Sequence, residues 1–522
     1  MNYSIVWFKR DLRAFDHEAL SEALRKGPIL CLYILEPSYW MGLDVSKRQL
    51  DFLKESLRDL AKSLKSFDLK LCLRTGEAND VFLSLYSQLK FDSVFSHEET
   101  GNQLTFRRDQ KVSAWFNAKG IVWSEFRQHG VSRGLKKRVH WVDQWEKLMQ
   151  VPQFDIDPQT IDKFSQNKIN ELFPSERWPN ADEWLINPEP CVKRQIGGRS
   201  VALEIMTSFL EDRSNYYSGG ISSPLKATSA CSRISPYLAL GCLSLREIAQ
   251  ATKFEISKST TGSYQKKGLH NFLSRLHWHC HFIQKLESEP EIEFHNMHHG
   301  YDGLRENDWN EEHFQRLINA KTGWPLVDAC VVMLRETGWL NFRMRAMLVS
   351  VAAYPLWLHW KKVGDWLASQ LVDYEPGIHW SQIQMQSGTT GINTVRVYNP
   401  IKQAIDHDPE GKFVRAWLPV LKKVPDAWLF EPWKMTQEIQ TRCGVVVGED
   451  WPIPVVDLAL STSQAKKRIH EFRANPGMRK INAVILERHG SNLKNWSTRK
   501  NGFRSPKAKD KEIQITQQEL DF

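Results

Sequence analysis

The chain has 522 residues, 41% of them hydrophobic, which is enough for roughly two or three domains, and its formal net charge of +9 is small for this length. No window approaches about 18 uncharged apolar residues, and the N-terminus becomes charged at Lys9, so we expect neither a membrane helix nor a signal peptide but a cytoplasmic protein. The eight cysteines include no CxxC pair, which argues against a disulfide framework, a zinc knuckle or an iron–sulfur cluster.

The first 130 residues alternate between apolar runs and amphipathic segments. Residues 47–65 place leucines on one helical face, whereas five apolar runs are predicted to be buried strands: 3–8, 29–35, 69–73, 92–97 and 121–126. This alternation predicts an α/β fold with a Rossmann-like parallel sheet. The first predicted strand leads into KRDLR instead of GxGxxG, so the pattern does not support dinucleotide binding there.

The rest of the chain divides by composition into three parts. Residues 131–200 contain prolines and tryptophans and are predicted to be a connector, whereas 201–445 show helical periodicity and are predicted to form an all-helical domain. Residues 446–522 are predicted to be a basic C-terminal extension, in which 466–480 and 497–511 are either solvated or in contact with phosphates. We expect a monomer.

Residues 216–244 form a turn-rich stretch that leads into a predicted helix. Ser232 and Ser235 stand near the start of that helix, and Pro236 suits its first turn. Hydroxyl groups and free N–H groups at a helix N-terminus bind phosphate, although plain helix capping explains the same residues.

Two arginines interrupt a later predicted helix that is otherwise apolar. Arg343 and Arg345 need carboxylate partners if they are buried, and Asp373 and Glu375 supply acids further along the chain. An arginine–aspartate pair of this kind is either structural or part of a functional site.

These stretches, in this order and together with VWFKRDLRAFDHEAL near the N-terminus, resemble the photolyase/cryptochrome family of blue-light flavoproteins over roughly residues 1–445. The resemblance implies an N-terminal α/β antenna domain and a C-terminal all-helical domain that holds FAD in a folded-back form. It also implies light-driven electron transfer from reduced flavin to a pyrimidine dimer flipped out of DNA. A second antenna chromophore (a folate, a deazaflavin or a lumazine) is expected in the N-terminal domain, with 36–42 and 97–102 as candidate lining segments.

The resemblance implies a set of residues around the cofactor. Tyr217 and the run 231–235 match the family's diphosphate loop, and Arg345 with Asp373 match the salt bridge beside the flavin ring. One face of the helix at 272–282 is implied to point at the cofactor. The implied cofactor-binding residues are Tyr217, Cys231, Ser232, Arg233, Ile234, Ser235, Phe272, Arg275, His279, Asn341, Arg345, Asp373, Tyr374 and Glu375.

The resemblance also implies a DNA-facing mouth to this cofactor site. Trp278 matches a tryptophan on which the flipped lesion stacks, because base flipping needs an aromatic platform. Phe342, Arg343, Met385 and Arg396 are implied to line the mouth with it.

The residues at this mouth depart from both known repair classes. Arg275 stands where cyclobutane-dimer photolyases carry a glutamate that binds the lesion, and an arginine cannot accept a proton. Phe342 replaces an asparagine, Met385 replaces a second tryptophan, and Leu340 stands where (6-4) photolyases have part of a histidine pair. The resemblance therefore predicts a light-driven DNA repair enzyme, with a photosensory cryptochrome without repair activity as the alternative. A DNA-binding protein without flavin is a third interpretation.

The family's tryptophan chain for reducing the flavin is also altered. Its proximal and surface positions match Ile383 and Leu317, so Trp360 alone matches the family pattern. Either Trp339 and Trp380 provide another route, or the flavin is reduced by other means.

Three histidines raise separate hypotheses. His379 aligns near flavin N5, where a histidine that titrates near neutral pH would serve as a proton donor. His277 and His281 are spaced i,i+4, as in some zinc sites, and 294–300 offers further histidines, but no third ligand of fitting spacing follows nearby. No metal is therefore expected.

The last six residues, QQELDF, form a separate motif. Gln517, Leu520 and Phe522 resemble the peptide Q-x-x-L-x-F by which bacterial repair proteins dock on the sliding clamp. A sliding clamp is therefore a candidate partner.

Overall fold

The computed structural model describes residues 3–135, 138, 140–474 and 477–490. A five-stranded parallel sheet lies in the N-terminal part, and helices make up nearly all the regular structure that follows it. No helix in the described part is long and apolar enough to cross a membrane.

All five predicted strands are confirmed. The strands are β1 Ser4–Phe8, β2 Ile29–Leu35, β3 Leu71–Thr75, β4 Ser93–His97 and β5 Val122–Phe126. Their order in the sheet is β3-β2-β1-β4-β5, and Ser4 of the central strand pairs with Ile29 of β2 and Ser93 of β4. The chain reverses direction across the sheet at β1, as in doubly wound α/β folds, so the predicted Rossmann-like topology is confirmed.

The helices follow in chain order. They are α1 Glu18–Lys26, α2 Pro37–Trp40, α3 Lys47–Lys65, α4 Ala78–Gln88, α5 Gln103–Lys119, α6 Trp141–Gln150, α7 Lys163–Leu172, α8 Arg199–Ser208, α9 Ser214–Gly220, α10 Ala227–Ala230, α11 Ser235–Ala239, α12 Leu245–Lys258, α13 Tyr264–Ser288, α14 Glu311–Ile318, α15 Pro325–Thr337, α16 Phe342–Ala353, α17 Trp360–Gln370, α18 Pro376–Ser387, α19 Pro400–His407, α20 Lys412–Trp417, α21 Gln437–Cys443, α22 Leu458–Arg473 and α23 Met478–His489. A π-helical segment, Phe209–Arg213, joins α8 to α9. The helix predicted at 47–65 is confirmed as α3, and none of the residues 201–445 lies in a β-strand.

Alternating side chains of β1 pack on the two faces of the sheet, as a strand period of two requires. Val6 and Phe8 belong to an apolar cluster with residues of α1 and α3, whereas Ile5 and Trp7 belong to a second cluster with residues of α4 and α5. The first cluster continues without a break into the helical part as far as Val372. This cluster crosses the predicted boundaries at 130 and 200, and a separate cluster that includes Trp451 and Ile485 crosses the one at 445, so the domain boundaries stay a prediction.

The loop after β1 joins the sheet to the helical part. Arg10 donates to the carbonyl of Ala239 (2.8 Å) and to that of Tyr374 (3.0 Å), and it forms an ion pair with Glu375 (3.0 Å). Arg13 donates to the carbonyl of Gly241 (2.9 Å). The carboxyl edge of the sheet therefore meets the helical part through buried arginines.

Gly241 occupies the point of closest approach between this loop and the helical part. Its φ of +62° lies in the left-handed region, and a Cβ atom at this position would lie 2.2 Å from the carbonyl oxygen of Arg10. A side chain would therefore collide with rigid backbone as well as strain its own.

We predict that Gly241→Ala lowers the free energy of unfolding by more than about 2 kcal/mol, because strain and collision add together. Chemical denaturation followed by circular dichroism measures this change. Gly120→Ala is the matched control: Gly120 has a φ of +70° but nothing lies within 4 Å of the added carbon, so only the strain of about 1 kcal/mol is expected. Equal losses in the two variants would show that the close approach is unimportant.

Candidate functional site

A cavity of about 310 Å³ lies in the helical part and brings together most of the predicted site residues. Its walls come from α9, the 231–235 loop, α13, the start of α16 and α18. The predicted residues on these walls are Tyr217, Cys231, Ser232, Arg233, Ile234, Ser235, Phe272, Arg275, Trp278, His279, Trp339, Asn341, Phe342, Arg343, Arg345, Asp373 and Met385.

Helix α13 lines the cavity with one face, as the family resemblance implies. Ser263 caps the helix by accepting from the backbone N–H of Lys266 (3.1 Å). Residues three and four positions apart share a face, which explains why Phe272, Arg275, Trp278 and His279 all reach the cavity. Leu273, Cys280 and Ile283 of the same helix are buried, with Cys280 fully enclosed.

A buried ion pair forms part of the cavity wall. Arg345 donates through Nη1 to Asp373 Oδ1 (3.0 Å) and through Nη2 to Asp373 Oδ2 (2.8 Å), so the predicted pairing is confirmed. Ser235 donates its hydroxyl to the same carboxylate (2.6 Å). Burial raises the pKa of Asp373, but Arg345 and Ser235 outweigh burial and hold this pKa below its ordinary value. The carboxylate is therefore ionised and fixed by three donors.

The charges on the cavity wall favour an anionic ligand. Four arginines line the cavity (residues 233, 275, 343 and 345), and Asp373 is the single carboxylate among the lining residues that the structure describes. A surplus of guanidinium groups with apolar walls suits a ligand that combines flat rings with phosphate groups.

The prediction for the start of α11 needs a correction. This helix has five residues, its N-cap is Ile234, and the Ser235 hydroxyl donates to Asp373 rather than facing an anion. Ser232 has no side-chain hydrogen bond in the described part of the chain, while its carbonyl accepts from Arg213 (3.2 Å). Attraction for an anion at this loop therefore comes from guanidinium groups more than from a helix terminus.

Arg233 has an unusual backbone conformation beside the cavity. Its φ is +64°, and Gln195 of the connector donates to its carbonyl (2.9 Å). Its guanidinium carbon lies 3.7 Å from the centroid of the Trp339 ring. Strain of this kind is typical of functional sites, where surrounding contacts hold it in place.

Two amide oxygens on the cavity wall have no hydrogen-bond partner within the described residues. Asn341 donates through Nδ2 to the carbonyl of Ile221 (2.9 Å), which leaves its Oδ1 unsatisfied, and the Oε1 of Gln382 is also unsatisfied. Buried acceptors of this kind normally meet a donor, so they suit a heteroaromatic ligand with N–H groups. The residues present therefore fit FAD, which offers flat rings, N–H donors and a diphosphate.

Sequence analysis missed Gln382, although a signal was available. Ile378, Gln382 and Met385 all line the cavity from α18, spaced four and three residues apart on one helical face. Only Met385 of these three was predicted to line the mouth.

Three predicted residues lie on a smaller adjoining cavity of about 80 Å³. Tyr374, Glu375 and His379 line it, together with Arg345 and Asp373, which also face the main cavity. The Tyr374 hydroxyl donates to Asp44 (2.7 Å). Burial raises the pKa of Glu375 to about 7 against the opposing effect of Arg10. Tyr374 and Glu375 therefore tie this wall to the N-terminal part.

The structure corrects the proposed titration of His379. Its Nε2 lies 2.9 Å from the carbonyl oxygen of Gly364, so this nitrogen carries the proton and donates it. Burial lowers the pKa of His379 to about 3, and the positive charges of Arg345 and Lys361 lower this pKa further against the opposing effect of the Gly364 carbonyl. The side chain is therefore neutral at physiological pH and does not titrate there, contrary to the prediction.

The predicted electron-transfer tryptophans are divided between the cavity and the core. Trp339 lines the cavity, whereas Trp360 and Trp380 are not among the lining residues. Their ring centroids lie 6.0 Å apart, and both rings are buried. Trp360 donates through its ring N–H to Asn296 (2.8 Å).

Arg396 is the one predicted mouth residue that lies off the cavity. It is half-buried in the loop after α18, and its carbonyl accepts from the Ser350 hydroxyl (3.2 Å). Its place at the mouth is therefore not supported by the lining residues. The predicted clamp residues Gln517, Leu520 and Phe522 lie outside the described residues, so sliding-clamp docking stays a prediction.

The two helix histidines considered for zinc have separate partners. His277 stacks on Trp145, with ring centroids 3.6 Å apart, and its Nε2 lies 3.1 Å from Glu146. The Nδ1 of His281 accepts from Arg138 (2.9 Å). The ring nitrogens of His277 and His281 therefore face different partners and do not converge on one metal position.

A buried cluster at the edge of the sheet resembles a metal site but is a hydrogen-bond network. Potential ligand atoms of Asp11, His17 and His97 lie within 4.8 Å of one another. His17 Nδ1 accepts from the N–H of Leu20 (3.1 Å), so the proton lies on Nε2, which is 3.0 Å from Asp11. A metal on that nitrogen would require an imidazolate, so the tautomer excludes His17 as a neutral ligand.

A second cavity of about 80 Å³ lies at the carboxyl ends of β1 and β2. Both segments predicted to line an antenna site contribute to it: Glu36, Tyr39 and Trp40 from the first, and Glu99 from the second. Arg108 pairs with Glu36 (2.7 Å) and with Glu99 across the cavity. The carboxyl end of a parallel sheet is where α/β folds bind ligands.

A basic groove lies on the C-terminal extension close to the cavity. Lys466, His470 and Arg473 stand on one face of α22 and line a groove with Val395 and Val397. Val395 lies 3.4 Å from the Cβ position of Gly388, which caps α18 three residues after Met385. The groove therefore begins about one helical turn beyond the cavity wall.

Two family models match the chain. The model described as "DNA photolyase" matches residues 4–133, and the model described as "FAD binding domain of DNA photolyase" matches residues 272–471. A cryptochrome DASH of Gloeobacter violaceus is 29% identical over 88% of this chain and 94% of its own length. A deoxyribodipyrimidine photo-lyase of Vibrio cholerae is 29% identical over 82% of this chain and 92% of its own length.

Solved structures show the same fold. A cryptochrome of Synechocystis superposes with a TM-score of 0.77 at 24% identity, covering 90% of this chain and 99% of that chain. A class III photolyase of Agrobacterium tumefaciens superposes with a TM-score of 0.76 at 24% identity, covering 91% and 98%. At these identities the likeness concerns the fold alone.

We predict that Asp373→Asn lowers the free energy of unfolding by about 2–4 kcal/mol, because Arg345 keeps its charge without a buried partner. Urea denaturation at neutral pH measures the loss. Since the folded pKa of Asp373 is lowered, its contribution is complete above about pH 4 and disappears as the pH falls through the folded pKa, so the two proteins should converge in acid.

Asp406→Asn is the control for this substitution. Asp406 pairs with Lys402 at 3.3 Å on the surface, where the lysine side chain is 73% exposed, so a loss below about 1 kcal/mol is expected. Losses of equal size would contradict a special role for the buried pair.

Proposed function

Because the chain belongs to the photolyase/cryptochrome family, we propose that it is an FAD-dependent, blue-light-driven DNA photolyase that splits pyrimidine dimers by electron transfer from reduced flavin. The observation that carries this proposal is the cavity of α13. Four arginines oppose one carboxylate on its walls, and the aromatic rings of Trp278 and Phe342 stand among its lining residues. The first feature suits a flavin dinucleotide, and the second suits a flipped base.

The residues that would hold FAD follow from the chemistry of the walls. Arg233 and the Ser232 hydroxyl would be donors for the diphosphate, while Asn341 and Gln382 offer amide oxygens to ring N–H groups. Absorption of blue light and donation of an electron are the chemistry that bound flavin supplies. The fixed Arg345–Asp373 pair polarises the ring environment without needing to reorganise.

The rim supports binding of a flipped base. Trp278 stacks on Phe282, with ring centroids 5.6 Å apart and an interplanar angle of 27°. Phe342 is 48% exposed although it is a large apolar residue, and Met385 lines the same cavity. Exposed aromatic surface at the mouth of a basic cavity is what stacking of an unpaired base requires.

Recognition of the lesion would rely on donors rather than on a carboxylate. Arg275 lies against Tyr217, and burial lowers the pKa of Arg275 against the opposing effect of that phenol without removing its charge. A guanidinium at this wall donates to carbonyl oxygens of a dimer and stabilises negative charge that develops there after electron transfer. The class of dimer, cyclobutane or (6-4), stays open for this reason.

One observation favours a second function, that of a blue-light photoreceptor without repair activity. Asp373 is the single carboxylate among the described lining residues, and it is bound to Arg345 and Ser235. No lining carboxylate is then available to accept a hydrogen bond from a lesion, and several relatives carry the name cryptochrome.

The cavity at the carboxyl ends of β1 and β2 is the proposed place of the antenna chromophore. Aromatic rings of Trp7, Tyr33, Tyr39 and Trp40 line it, and Tyr374 connects it to the wall of the cofactor cavity. Rings packed against rings in this way suit a pterin or flavin-like chromophore. The pigment class stays open between folate, deazaflavin and lumazine.

The proposed function predicts a yellow protein that repairs DNA only in blue light. Purified, reduced protein is incubated with oligonucleotides that carry either a cyclobutane dimer or a (6-4) product, in light and in darkness, and the products are analysed. Absorbance beyond that of flavin reports an antenna chromophore. Light-dependent repair of either lesion supports the photolyase. Bound flavin with a light-induced change in protease sensitivity but no repair supports the photoreceptor, and protein that cannot take up flavin rules out both.

The basic groove of α22 is proposed to contact a DNA phosphate beside the cavity. Lys466→Gln should weaken DNA binding and lower the slope of log affinity against log salt by about 0.9 for duplex DNA, because one counterion fewer is released. Titrations at several salt concentrations measure this slope. Lys119→Gln, at the end of α5 in the sheet part, is the control and should leave it unchanged. An unchanged slope for Lys466→Gln would remove the groove from the DNA interface.

A further inference from the structure

Near the cofactor cavity, two tryptophan rings each have a positively charged side chain packed over the face of the ring. The guanidinium carbon of Arg233 lies 3.7 Å from the centroid of Trp339, and the Nζ of Lys361 lies 4.1 Å from the centroid of Trp380. These are the two tryptophans available as a substitute for the family's electron-transfer chain, in which Ile383 and Leu317 interrupt the usual route.

Both rings lie where an electron donor to the cavity would have to be. Trp339 lines the main cavity. Trp380 follows His379, which lines the adjoining cavity, and the two rings are 4.8 Å apart. Trp360 lies 6.0 Å further on, so Trp380 would be the first step of any route through α17.

A fixed cation opposes oxidation of the ring that it covers. Loss of an electron turns the indole into a radical cation, so the attraction between the cation and the ring becomes a repulsion between two positive charges. The repulsion is strong at this distance because both rings are buried, with Trp339 5% exposed and Trp380 fully enclosed. An electron is therefore harder to remove from these rings than from an uncovered tryptophan.

The structure holds both cations in place. The strained backbone of Arg233, with φ at +64°, is fixed by Gln195. Lys361 donates to Asp365 of the same helix (2.6 Å), which orients the amine but also offsets part of its charge. Trp380 packs on Gly364, where an added Cβ atom would lie 2.5 Å from the ring, so the ring has no room to turn away.

Trp380 also lacks an acceptor for its ring proton. Its Nε1 is buried and has no hydrogen-bond partner among the residues that the structure describes. A tryptophan radical cation is trapped when that proton leaves for an acceptor, so an oxidised Trp380 would not be trapped in this way.

We propose that Arg233 and Lys361 act as positioning residues that withhold Trp339 and Trp380 from electron transfer, so that neither tryptophan supplies the electron that reduces the flavin. The inference rests on the proposed flavin site. It excludes Trp339 and Trp380 as the source of the electron that reduces the flavin. The inference explains why this protein lacks the family's tryptophan route and why Trp339 and Trp380 do not take its place.

Removal of each cation should restore the tryptophan as an electron donor. In Lys361→Met with Asp365→Asn, which removes the lysine without leaving an isolated carboxylate, the yield of tryptophan radical after a laser flash should rise about tenfold or more, because a lower barrier acts exponentially on rate. Transient absorption of the flavin-loaded protein measures this yield. Adding Trp380→Phe should abolish the gain. Arg233→Met should behave in the same way and lose its gain when Trp339→Phe is added.

Lys193→Met is the matched control, since Lys193 lies 5.6 Å from the ring of Trp417 on the surface and no gain is expected. If Arg233→Met fails to retain flavin, the Lys361 variants decide the question. Two results overturn the inference: no gain in any cation variant that retains flavin, or a roughly tenfold slower photoreduction when Trp380→Phe is the sole change. Failure of the flavin site on which the inference rests is distinct, because it appears as protein without bound flavin, and absence of repair is measured separately with the dimer-containing oligonucleotides.

Discussion

The ion pair between Arg345 and Asp373 is the contact on which the cavity depends. It joins the first turn of α16 to the segment before α18, and Ser235 adds the start of α11 to the same carboxylate. A buried pair contributes little net stability because both ions lose their hydration. Its value is positional: three segments that are distant in sequence are held at one point, and that point lies on the wall of the cavity.

The same wall connects the two parts of the molecule. Asp373 faces the cavity, while its neighbours Tyr374 and Glu375 bind Asp44 and Arg10 of the N-terminal part. Three consecutive residues therefore link the cavity to the carboxyl edge of the sheet. Gly241 permits the close approach that this junction requires. Tyr374 lines both the cavity at the sheet edge and the smaller cavity beside this wall.

Local patterns predicted the sheet and α3, because strand and helix periodicities depend on neighbouring residues alone. The resemblance supplied the pairing of Arg345 with Asp373 and most of the lining residues. It did not supply the neutral state of His379, which depends on the Gly364 carbonyl of α17, or the direction of the Ser235 hydroxyl. The resemblance also did not indicate that Arg396 lies outside the cavity. Each of these depends on contacts between segments that only the folded chain brings together.

The arginines of the cavity favour the binding of anions but oppose the oxidation of a neighbouring tryptophan. A surplus of guanidinium groups attracts anionic ligands, and Arg275 is one of these groups on the cavity wall. The same positive charge, placed against Trp339, makes that ring a poor electron donor. The arginines that favour anion binding in this cavity therefore oppose oxidation of the aromatic residues on its walls.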